Sequence, residues 1–196
     1  MNEIKIGNQI WTSQNSQIKQ FRNGDLIPQV SDYKLWQETK EPAWCFYDND
    51  PLNENNLGIL YNGYAIFDSR NLAPEGFRIP SIQDFEEMIK FLGSIDSGHM
   101  LKTKSKGFWK NMKGVNKGTD EFGFNAYPTG LRTTTWGEAP FVNKNEYTRF
   151  WTLTRKENEI ISCVQLGYGD NRIYTSGSIH SNTRITDGCS LRFIKE

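Results

Sequence analysis

Three cysteines and two histidines are the soft or near-neutral titrating side chains of this 196-residue chain, and their spacing limits the chemistry they could do. Cys163 and Cys189 are widely separated and Cys45 is far from both, so no thiol pair with redox or zinc-knuckle spacing exists. They read as small buried hydrophobes, since free cysteine is among the most buried residue types. A Cys163–Cys189 disulfide stays open, because sequence does not place their Cα atoms. His99, in Gly98-His99-Met100, and His180, in Ile179-His180-Ser181, have no metal-ligand spacing. Asp48-Asn49-Asp50 and Asp120-Glu121 offer hard oxygen donors that suit calcium. The first lacks the glycine and bidentate glutamate of an EF-hand loop, so turn capping accounts for it better. No phosphate loop, serine elbow or catalytic carboxylate pair occurs. The expectation is a non-catalytic protein without a metal or cofactor, calcium being compatible but unsupported by any motif.

Binding chemistry has more material. Between residues 133 and 187, polar and aromatic residues interleave on expected loops. Trp136, Tyr147 and Arg149 precede Trp151. Tyr168, Asp170, Asn171, Arg172, Tyr174, His180, Asn182 and Arg184 follow an expected strand at 160–166. Flat rings give contact area at small entropy cost, while amides and guanidinium groups choose hydrogen bonds. The set suits a glycan, whose C–H faces stack on rings, or a surface protein. Trp151 is set aside as a core residue. The basic run 102–106, beside Phe108 and Trp109, reads as a solvated loop rather than a nucleic-acid contact.

The elements that must position these residues follow from pattern. Twenty-three basic residues balance twenty-three acidic ones, so no global field attracts nucleic acid or an anionic membrane. No apolar run approaches the roughly 18 residues of a membrane span, and the first residues show no export signal. Aromatics at 13% and seventeen glycines imply a ring-built core in a loop-rich single domain over 1–196. Residues 4–11 predict a hairpin broken at Gly7-Asn8. Mixed helical spacing predicts a helix over 57–68. Ser81 as N-cap, Asp84 at N3, the stripe Ile82, Phe85, Met88, Ile89, Leu92 and the stop at Gly93 predict a second helix. Short runs at 107–112, 122–127, 129–136, 147–154, 160–167, 171–175 and 189–194 predict strands. The fold class is α+β: strands, two helices, then a β- and loop-rich second half.

Ordered motifs along the whole chain carry a family resemblance. They include Ile6-Gly7-Asn8-Gln9-Ile10-Trp11, Phe21-Arg22-Asn23-Gly24-Asp25 and Pro42-Ala43-Trp44-Cys45-Phe46-Tyr47. Further along stand Leu60-Tyr61-Asn62-Gly63-Tyr64-Ala65, Gly76-Phe77-Arg78-Ile79-Pro80-Ser81, Phe122-Gly123-Phe124-Asn125-Ala126 with Gly130 and Arg132, Phe150-Trp151-Thr152 and Ser190-Leu191-Arg192-Phe193-Ile194. Together they resemble the FISUMP domain family of bacterial, mostly surface-associated proteins. That family is similar to the formylglycine-generating-enzyme branch of the C-type lectin-like fold. The resemblance implies a C-type lectin-like domain with paired terminal strands, two flanking helices and a long loop-rich β second half. It also implies placement outside the cell, on its surface or in a virion, as an adhesion or receptor-binding component. A glycan, a surface protein or a particle protein is then the expected partner, with no nucleic acid and no membrane insertion. The related oxidases use a closely spaced cysteine pair near the C-terminus, which this chain lacks. The calcium-dependent sugar site of the lectins is not matched either, since the corresponding residues read Trp151-Thr152-Leu153-Thr154. Two alternatives remain: a structural domain that docks on an assembly partner, and a divergent formylglycine-generating-type oxidase.

Overall fold

The computed structural model describes residues 2–115, 117–134, 140–156, 160–175 and 178–196. Its first half is built of short elements. Strands β1 (Glu3–Ile6) and β2 (Gln9–Thr12) form the expected hairpin, with Ile4 opposite Trp11 and Gly7 turning the chain at φ 60°. Helix α1 (Tyr33–Glu38) starts at Asp32, whose carboxylate accepts the Leu35 N–H. Strand β3 (Trp44–Cys45), helix α2 (Glu54–Leu57), strand β4 (Leu60–Tyr61), helix α3 (Gly63–Ile66) and strand β5 (Phe77–Arg78) follow. The helix expected over 57–68 is therefore corrected to a two-residue strand and one helical turn. Gly58, at φ 71°, ends α2. Asn62 then restarts the chain as an N-cap, its side-chain oxygen accepting from Ala65 N–H and Ala43 N–H. The apolar spacing had a different cause: Leu60, Tyr61 and Ala65 are all buried in extended or single-turn backbone.

Helix α4 (Ile82–Leu92) is the long helix of the expected pair, and its signals act as read. Ser81 and Asp84 form the reciprocal capping box, and Gly93 closes the helix in the left-handed region. Its buried face, Ile82, Phe85 and Met88, packs with Trp11 of β2. Asp84 does more than cap. Arg78 grips both carboxylate oxygens, at 2.7 and 2.6 Å, and so ties β5 to α4. Burial alone would raise the Asp84 pKa, but hydrogen bonds from Arg78 and from Ser81 overcome it and hold the carboxyl below its ordinary value. We expect Asp84→Ala to cost about 2 kcal/mol, from the lost cap and the lost charge-assisted bonds to a part-exposed arginine. Because the folded pKa is depressed, this contribution is present above the ordinary carboxylate pKa of about 3.9 and disappears as pH falls through the lower folded value. Urea unfolding of wild type and variant at pH 7 and pH 3 checks this, since the gap between their stabilities should be smaller at the lower pH.

The second half supplies β6 (Thr129–Arg132), β7 (Phe141–Lys144), β8 (Tyr147–Arg155), β9 (Ile160–Gly167), β10 (Ile173–Tyr174), β11 (Asn182–Arg184) and β12 (Ile194–Lys195). One sheet runs β10-β9-β8-β6-β7, and β11 pairs with the outer edge of β9 below β10. The runs 107–112 and 122–127 form no strand; the second contributes only a single bridge from Ala126 to Lys102. In the other main sheet, Ile194 of β12 sits opposite both Trp11 of β2 and Arg78 of β5, so the two ends of the chain share a sheet.

Strand alternation divides the rings of β8 and β9 between two cores. Phe150, Val164 and Leu166 join Trp11, Phe85 and Phe124 on one side. Trp151 and Ile161 join Tyr61, Leu131, Leu191 and Phe193 on the other. The central strands are thus covered on both faces, and their free ends carry the polar residues of interest. The described residues form a mixed α+β structure with few helices and several antiparallel pairings.

Candidate binding clefts

The expected binding residues do not make one loop surface. They divide between two clefts and a ring cluster, half of those described on strands and half on turns. On the Trp151 side of the sheet, Arg149 of β8 stands opposite Gln165 of β9, and its Nε donates to Gln165 Oε1 at 2.8 Å. A second donation, Nη1 to the Asn182 carbonyl at 3.3 Å, braces β11. These residues edge a cleft of about 270 Å³. Leu131, Val142 and Ile160 give it apolar walls, while Arg149, Asn182, Arg184 and Asp187 bring polar groups. Asp187 is buried. Its Oδ2 accepts from Thr183 Oγ1 and Arg184 N–H, and its Oδ1 has no hydrogen-bond partner among the described residues. Asp187 closes the 133–187 span expected to bind but was not among the residues singled out there.

The tyrosines flank the same end of β8 and β9: Tyr147 is opposite Gly167, and Tyr174 of β10 is opposite Gln165. Tyr147 and Tyr168 meet edge to face, 6.0 Å between ring centres. Tyr174 donates to Asp170 Oδ2 at 2.6 Å and stands 5.0 Å from the His180 ring. The Asp170 hydrogen bond, with burial, raises the Tyr174 pKa to about 12. Asp170 also accepts the Arg172 N–H, closing an Asx turn. Two residues expected on the binding loops are committed within the fold: Asp170 and Tyr174 satisfy each other. Asn171 is half-buried, and its carbonyl accepts the Gly98 N–H. Arg172, His180 and Arg184 are exposed. Trp136 lies outside the described residues.

Tyr168 reaches a second and larger cleft, about 510 Å³, formed by the segment 102–118. Lysines 102, 104, 106, 110, 113 and 117 line it together with Trp109 and Met112. Lys102 is not solvated as expected. It is 2% exposed, donates to the Asp170 carbonyl at 2.6 Å and lies 5.2 Å from the Trp109 ring centre. Burial lowers its pKa to about 8. Lys110 pairs with Glu146 at 2.7 Å and covers the Tyr168 ring at 4.9 Å. The signal for this cleft was present in the sequence: residues 97–119 hold six lysines and no acid.

The thiols are structural. Cys45, Cys163 and Cys189 are free and buried, so the disulfide left open between the last two is not formed. Burial raises their pKa values, to about 11 for Cys45, about 12 for Cys163 and higher still for Cys189. Asp50 caps a turn through the Leu52 N–H, as expected of an Asx residue, while Asp48 takes a left-handed φ of 55°. Among the described residues no group of three or more His, Cys, Asp or Glu side chains is arranged to hold a metal, and no helix is long and apolar enough to cross a membrane.

Over residues 4–195 the sequence matches the family described as the Fibrobacter succinogenes major domain. The chain belongs to that family. No curated protein and no solved structure matches it significantly. Within this Fibrobacter succinogenes major domain, the motif residues cited for the family resemblance are largely buried ones: Trp11, Tyr61, Trp151, Arg132 and Arg192 are each at most 1% exposed. The match covers both clefts, yet residues such as Lys104, Lys113 and Arg184 lie outside those motifs.

Proposed function

We propose that this chain is a non-catalytic binding module of the FISUMP type, on a C-type lectin-like fold, that holds a glycan in the cleft beside Arg149. The domain would work outside the cell, on its surface or on a particle. The carrying observation is the lining of that cleft: apolar Leu131, Val142 and Ile160 next to Arg149, Asn182, Arg184 and Asp187. Such alternation suits a sugar, which offers C–H faces and hydroxyls together. Asp187 Oδ1, buried without a partner, is an acceptor suited to a hydroxyl. The rigid β8–β9 pair holds Arg149 in place before any ligand arrives, which limits the entropy cost of binding. Support for a non-catalytic role is that all three thiols are buried and kept protonated, since reactive cysteines need thiolate character and access.

An array of neutral oligosaccharides, followed by calorimetry on the hits, tests this reading. Arg184→Ala combined with Asn182→Ala should weaken the best hit at least tenfold, two lost polar contacts being worth about 1.4 kcal/mol or more together, with an unchanged circular dichroism spectrum. Wild-type affinity in that variant removes the cleft from the proposal. Absence of any glycan signal, with a stably co-purifying particle protein, would favour a docking domain instead. Copper-dependent oxygen consumption with a cysteine peptide would favour the oxidase reading.

A further inference from the structure

We propose that the lysine-lined cleft at 102–118 is a separate site for an anionic sugar chain carrying carboxylate or sulfate groups. The first argument is charge. Residues 97–119 carry six lysines and no acid, in a chain whose other seventeen basic residues face twenty-three acids. A protein of zero net charge has therefore gathered a net +6 on one segment and left −6 on the rest. A cleft lined by one sign of charge focuses its field and concentrates ligands of the opposite sign.

The second argument is that most of this charge is uncommitted. Lys110 is paired with Glu146, and Lys102 is spent on the Asp170 carbonyl. Lys104, Lys106, Lys113 and Lys117 make no ion pair among the described residues and are exposed. Holding like charges together costs energy unless an anion offsets it. The third argument is shape. Trp109 is half-buried, with its indole N–H fixed on the Ala126 carbonyl at 3.0 Å, and Tyr168 forms part of the lining. Lys102 beneath Trp109 anchors the segment to the Asp170 turn of the sheet domain.

Size separates a sugar from nucleic acid. The cleft, about 510 Å³, falls within the range for small ligands of about 300–1,000 Å³. A nucleic-acid strand needs a charged track of about 4–16 nucleotides with repeated stacking platforms. Here the charge is confined to one cleft, and the −6 remainder would repel a phosphate chain that left it. Lysines are point charges without the bidentate fork of arginine, so they accept carboxylate or sulfate in varied orientations.

The test is calorimetry with three probes in 50 mM and 300 mM NaCl: an oligogalacturonate, a chondroitin sulfate tetrasaccharide, and a neutral cello-oligosaccharide. A ten-nucleotide DNA strand is the competitor. The two acidic sugars should bind at low salt, lose at least tenfold in affinity at the higher salt, and exceed the neutral sugar there. Lys104→Gln/Lys106→Gln/Lys113→Gln/Lys117→Gln, all at exposed positions, should weaken both acidic probes at least tenfold. The Arg184→Ala/Asn182→Ala variant should not change them, which separates this site from the sheet cleft. Failure of both acidic sugars to bind, unchanged affinity in the quadruple variant, or tighter binding of the DNA strand would each overturn the proposal.

Discussion

Arg192→Ala should destabilise the protein by about 3–5 kcal/mol, one of the two largest losses we expect from a single polar substitution. The side chain is 1% exposed, yet it carries a guanidinium group. Three acceptors surround it: Asn15 Oδ1 at 2.6 Å, the Thr12 carbonyl at 2.9 Å and the Asn125 carbonyl at 3.2 Å. The Phe124 and Phe150 rings cover it, 4.7 and 5.7 Å from centre to guanidinium carbon. Burial lowers its pKa, which records the cost of hiding the charge. The structure offsets that cost by joining the segment after β2 to the 125 turn and to the C-terminal run. Removing the side chain strands two buried acceptors and one part-buried one, and opens a cavity under two rings. Arg192→Met separates these effects, because it restores much of the volume and none of the bonds. We expect Met to recover less than half of the loss. For a chain of this size, 3–5 kcal/mol corresponds to a Tm drop of about 6–20 °C. Full recovery in the Met variant would show that packing alone matters at this position.

This residue also shows where sequence reasoning stops. Ser190-Leu191-Arg192-Phe193-Ile194 marks the family, but an arginine in an apolar run gives no hint of its acceptors, which lie at residues 12, 15 and 125. Local signals were legible. Ser81, Asp84 and Gly93 bound α4 through contacts within a few residues, and the run 160–167 coincides with β9. The 57–68 segment failed because its helical spacing came from burial against other segments. The Gly63 N–H, for instance, donates to the Ile185 carbonyl, and no local pattern encodes that contact. Of the expected binding residues, Arg149, Asn182 and Arg184 come together along one cleft. Sequence could not show that Asp170 and Tyr174 would pair with each other, or that Asp187 would line the cleft. The lysine segment was visible as charge but was weighed against the whole-chain balance. Charge balance over 196 residues says little about a cleft lined by fifteen of them.

Arg132→Ala carries the second large expectation, also about 3–5 kcal/mol, but with a different signature. Arg132 is the last residue of β6 and is fully buried. Its Nη1 donates to the Val30 carbonyl, and its Nη2 donates to the carbonyls of Ser31 and Asp32 at 3.0 Å each. The guanidinium lies 4.4 Å from the Trp36 ring centre and 5.2 Å from that of Phe141. One side chain therefore fixes the residues that start α1, and it clamps the helix through Trp36. With only six residues, α1 cannot persist on helix propensity alone. Loss of Arg132 should free residues 30–38 before the sheets open, as a local unfolding event. Arg132→Lys should not rescue it, because one ammonium cannot reach three carbonyls in the fixed geometry of the guanidinium fork. Hydrogen exchange checks this directly. Amides of Leu35 and Trp36 should lose protection in both variants by more than those of Val164 and Leu166 in β9. Equal loss across the two regions would mean that Arg132 supports the whole fold rather than the α1 clamp.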